Sequence, residues 1–147
     1  MVYRSSLVMA LLIASFTVDA KIEVNASLSA ILTGQWGWNI EGSDLSCGGN
    51  THTVKLSDDN KKLYIEFLKA IPAANGLNTK RTSYTVVGFN TSNSTVTMTL
   101  DGEKRKDSQE KSVKWDLIIL DSVSYTWHRH DWPEGATTPV IVQCSNA

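Results

Sequence analysis

From Gly34 to Cys144, apolar and polar residues alternate in eight successive short runs, and this period of two constrains the fold more than any other feature of the chain. Ser94 to Asp101 is the cleanest case: Val96, Met98 and Leu100 alternate with Thr95, Thr97 and Thr99 before Asp101-Gly102 turns the chain. In Gly34 to Ile40, the residues Trp36, Trp38 and Ile40 share one face. His52, Val54 and Leu56 do so in Thr51 to Ser57, and Leu63, Ile65 and Phe67 in Lys62 to Ile71, which Pro72 ends. Residues 73–80 read as a loop with Asn75-Gly76 as its turn, and Thr82 to Phe89 follows. Ser112 to Leu120 sets Val113, Trp115, Leu117 and Ile119 on one side, and Val123 to Asp131 and Pro139 to Cys144 complete the series. The short cluster from Glu103 to Lys106 mixes charges and reads as a solvated hairpin tip. No stretch has a helical period. Eight runs joined mostly by short turns predict an all-β, eight-stranded antiparallel up-and-down barrel.

What precedes the first run reads as a targeting segment. Met1 to Ala20 has a basic head at Arg4, an apolar run from Leu7 to Val18 and a small residue at Ala20, as a secretory signal peptide requires; Val24-Asn25-Ala26 is a second possible cleavage site. The apolar run is too short for a permanent membrane anchor. Removing 20 of the 147 residues leaves 127, enough for the single barrel domain 21–147. The formal net charge of −1, with no basic run, argues against a nucleic-acid partner. Cys47 and Cys144 are the two cysteines of a chain marked for export, so a disulfide is expected, and with it a secreted or periplasmic location. Asn25, Asn90 and Asn93 head N-glycosylation triplets, which mark exposed turns and are glycan acceptors only in a eukaryotic host.

Trp36 is large enough to plug one end of a barrel if its indole nitrogen finds an acceptor. Gly34-Gln35-Trp36, preceded by Leu32-Thr33, resembles the Gly-x-Trp pattern of the lipocalin and avidin-like (calycin) barrels, and the strand number and order agree with it. The resemblance implies that an arginine from a late strand lies across that indole; Arg129 is similar in position, and with Trp36 it would close one barrel end as a cation–π pair of about 1 to 2 kcal/mol. Arg129 sits on the seventh run rather than past the last, and no lipocalin motif joins the middle strands, so the carry-over stops at the barrel order and these two residues. The resemblance also implies a small apolar ligand in the barrel mouth, lined by Trp38, Phe67, Met98, Trp115 and Tyr125.

Other chemistries are weaker. His128 and His130 project from one strand face, and Asp131, His52 or Asp44 could add a third metal ligand, but two strand histidines without a second cluster read as a polar surface, so no metal and no cofactor is expected. The cysteines are spent on each other, no Gly-x-Ser-x-Gly elbow occurs and Asp58-Asp59 lies in a turn, so the chain reads as a non-enzyme. One competitor to ligand binding remains. Four inward indoles, Trp36, Trp38, Trp115 and Trp127, could fill the barrel, which would then act as a protein-interaction or inhibitor module through loops 72–80 and 132–139, anchored by an exposed Trp132.

Overall fold

A computed structural model describes Leu28, Ala30 and residues 32–73 and 76–145; the signal segment and Asn25 lie outside the described residues. Eight strands form in chain order: β1 (Gln35–Trp38), β2 (His52–Leu56), β3 (Lys62–Pro72), β4 (Asn78–Asn90), β5 (Thr95–Leu100), β6 (Lys114–Asp121), β7 (Ser124–Arg129) and β8 (Ile141–Gln143). Each pairs antiparallel with the next, and β8 returns to β1, closing the barrel. The alternation explains why. Trp36, His52, Val54, Leu63, Ile65, Tyr84, Val96, Met98, Leu117, Ile119, Tyr125, Trp127 and Ile141 are buried in one interior cluster, which removes their apolar surface from water while the intervening residues face outward.

Because neighbours are antiparallel throughout, odd strands run from one barrel end to the other and even strands return. Trp36, at the start of β1, defines the closed end. Its indole donates to the Leu32 carbonyl at 3.1 Å, and Leu28 and Leu32 from the segment before β1 pack into the core there. Turns at this end are short: residues 57–61, 91–94 and 122–123. The other end carries residues 39–51, 101–113 and 130–140, so most of the long connections gather at one mouth.

Three local expectations change. Ile40 is 41% exposed rather than inward, because β1 stops at Trp38, where the Trp38 N–H donates to the Leu45 carbonyl at 2.8 Å and Ser46 pairs with Trp38. β4 begins at Asn78, inside the expected loop, since the β3–β4 hairpin continues past a register shift between Glu66 and Ile71 to pair Ile71 with Thr79 and Pro72 with Asn78. Glu103 is not solvated; its side chain is 2% exposed.

Cys47 and Cys144 form the disulfide across 97 residues, with Cα atoms 5.4 Å apart. The bond crosses the outer side of β1 at Gly37. A Cβ added there would stand 2.5 Å from the Cys47 backbone nitrogen, so only glycine lets the 43–49 segment lie flat on the strand.

Candidate functional site at the barrel mouth

Aromatic rings occupy the barrel from the closed end upward. Trp36 meets Tyr125 edge-on at 4.9 Å, Tyr125 meets Trp127 at 6.3 Å, and Trp127 stacks on Tyr84 at 5.2 Å. Trp115 then stands against Trp127 at 6.3 Å and Tyr84 at 6.4 Å. Beside the lower part of this column, His52 shares a 2.5 Å hydrogen bond with the Tyr125 hydroxyl and packs on Phe67 at 5.4 Å. Burial without a charged partner lowers the His52 pKa to about 4 and raises that of Tyr125 well above the ordinary phenol range, so both are neutral at pH 7.

Above the column lies a half-open cavity of about 420 Å³, whose wall includes Tyr84, Leu100, Trp115, Thr82, Asp101 and Arg105. β4 supplies Thr82 and Tyr84, β5 Leu100 and β6 Trp115, because the inward face of each strand continues to the mouth, while Asp101 and Arg105 come from the connection after β5. The rim is built by the loop after β5. The Glu103 carboxylate accepts from the Arg105 backbone N–H at 3.0 Å, from Arg105 Nε and Nη2 at 2.7 Å each, and from the Trp115 indole at 3.3 Å. The Arg105 hydrogen bonds, strongest among these, hold the Glu103 pKa down to about 2. Burial pushes the Tyr84 pKa up to about 12, so its phenol stays a neutral hydrogen-bonding group at the cavity wall.

The expected ligand-lining residues divide. Trp115 lines the mouth cavity. Met98 and Tyr125 are sealed in the core, at 0% and 1% exposure, while Trp38 and Phe67 are half-buried against it. The Trp36 and Arg129 closure does not form. Arg129 ends β7, an odd strand, and therefore stands at the mouth, opposite Trp36. There its guanidinium lies 5.5 Å from the Trp115 ring and 5.0 Å from Trp132, and it bonds Asp131. With Arg105 also 5.5 Å from Trp115, the four side chains form a ladder in the order Arg105, Trp115, Arg129, Trp132. Trp132 is half-buried against Trp115 and His128 rather than exposed, and loop 130–140 is pinned by Thr138, whose hydroxyl accepts from the Trp127 N–H at 3.0 Å.

His128, on the outer face of β7, and His130, just past its end, stand side by side with rings 5.9 Å apart. His128 Nδ1 donates to the Ala136 carbonyl at 2.6 Å and His130 Nε2 bonds Asp116 at 2.9 Å. The third ligands do not join them: His52 points into the barrel and Asp131 is held by Arg129. Among the described residues, no three His, Cys, Asp or Glu side chains converge as a metal site would need. A second concavity of about 610 Å³ lies outside the barrel between Leu45 and Ile71; its buried Asn50 is already paired through both side-chain atoms with the Lys69 backbone.

Sequence reasoning missed Tyr84 and Arg105 as mouth residues. Tyr84 carried a usable signal, since it lies in an alternating run, whereas the Arg105, Glu103 and Trp115 cluster depends on a contact between a loop and the next strand that no local pattern announces. Comparison with known proteins finds no matching family model, no matching curated protein and no matching solved structure.

Proposed function

We propose that this chain is an exported, calycin-like binding protein that takes a small, largely apolar ligand at the mouth of its barrel, on Tyr84, Leu100 and Trp115. The observation carrying this reading is the cavity of about 420 Å³ set directly above an interior filled with aromatic side chains. That volume falls in the range of small-molecule sites, which combine an apolar wall with a few convergent polar groups. Location outside the cytosol is supported by the disulfide, which persists in an oxidising compartment. The barrel needs no catalytic group for this role.

The ligand-free interaction module draws support from the same filled interior. Its anchor is weaker than the sequence suggested, because Trp132 is committed to Arg129 and Trp115. Native mass spectrometry of protein purified from its own host, before and after mild organic extraction, separates the two. A removable mass of a few hundred daltons is expected; an unchanged mass equal to the oxidised chain contradicts ligand binding and turns attention to partner capture.

A further inference from the structure

The acceptors near the mouth are spent, and one guanidinium edge is left over. Glu103 takes four hydrogen bonds, all from Arg105 and Trp115. Asp101, on the cavity wall, accepts from Lys62 Nζ at 2.7 Å, Ser83 Oγ at 2.6 Å and Thr85 Oγ1 at 2.7 Å. Arg105 is different. Its Nε and Nη2 face Glu103, no described residue takes its Nη1, and its side chain is 40% exposed where it lines the cavity. A guanidinium presents five N–H donors in a rigid plane, and the edge left free suits a planar oxyanion. Thr82 and Tyr84 stand on the same wall, their hydroxyls hydrogen-bonded to each other. Arg81, also on this wall, is already committed: it stacks on Tyr64 at 4.1 Å and pairs with Glu66 at 3.4 Å. A ligand that offers only donors would meet no free carboxylate here, whereas an acceptor meets the open edge of Arg105.

Resting on the mouth-binding reading above, we infer that the ligand is a small organic carboxylic acid, its apolar body against Tyr84, Leu100 and Trp115 and its carboxylate on the free edge of Arg105. A short acyl chain or a one- or two-ring aromatic acid meets this description.

Isothermal titration with 2-naphthoate and with 2-naphthamide, which share a body and differ in charge, tests the assignment. The carboxylate is expected to bind about tenfold more tightly than the amide, the difference between a charge-assisted and a neutral hydrogen bond. Removing Arg105 alone would strand Glu103, so the variant is the doubly neutral Glu103→Gln/Arg105→Gln, whose thermal midpoint is recorded alongside. In that folded variant the preference should vanish while amide binding stays. Equal affinities in the native protein overturn the carboxylate assignment and leave mouth binding standing. A preference that survives in the double variant overturns the role of Arg105. Binding of neither probe defeats mouth binding, and this inference with it.

Discussion

His52 shows what a single buried residue does to the whole barrel. It is 5% exposed, and among the described residues its only polar side-chain partner is the neutral Tyr125 hydroxyl. Its folded pKa of about 4 lies below the unfolded value of 6.5, so the unfolded chain binds the extra proton and stability falls as pH falls from 6.5 to 4. That shift corresponds to about 3 kcal/mol. Urea unfolding at pH 7 and pH 4 should show this loss in the native protein, and His52→Gln should remove most of it. Glu103 acts in a lower window. Its folded pKa of about 2 is depressed from 4.5, so its contribution is present above 4.5 and is lost as pH falls towards 2. His52 was legible as inward from its alternation with Val54 and Leu56. Arg129 was misplaced although the information was available: with odd strands leaving the closed end, the end of a seventh strand cannot reach the start of the first. Strand parity, counted from Trp36, would have sent it to the mouth.

Among the elements, β1 and β8 are the shortest, and β8 meets β7 through only two paired positions. The disulfide and the 43–49 segment reinforce this seam from outside. Replacing both cysteines, as Cys47→Ala/Cys144→Ala, should cost on the order of 4 kcal/mol by releasing a long loop in the unfolded chain. Hydrogen exchange should then rise first in β1 and β8. Gly37→Ala should cost roughly 2 kcal/mol in chemical denaturation with the disulfide intact, because the new methyl group must push the Cys47 backbone off the strand. The strands were readable because one buried face imposes a period of two. Their ends were less so: where β1 stops depends on Leu45 and Ser46 taking over its edge, and where β4 starts depends on a hairpin continuing beyond a bulge.

For the molecule as a whole, the barrel divides into a filled, closed end and an open mouth crowded with the longer loops. The four inward indoles expected from sequence are in or against the core, and the cavity is displaced to where Trp115 meets the loop after β5. The closed end could be read from Trp36 and its neighbours, whereas the mouth is assembled from Tyr84, Leu100, Trp115 and Arg105, which are scattered across the chain and meet only once the barrel closes. Substituting Trp115→Ala should weaken ligand binding at least about tenfold, as loss of a large aromatic contact does, while Met98→Leu, a change inside the sealed core, should leave affinity unchanged. The most direct test is a proton–nitrogen correlation spectrum of the five tryptophan indoles during titration with 2-naphthamide. Binding at the mouth predicts that the Trp115 signal moves while the Trp36 signal stays in place; movement of Trp36 would mean an open axial lumen, and stillness of every indole would contradict the site.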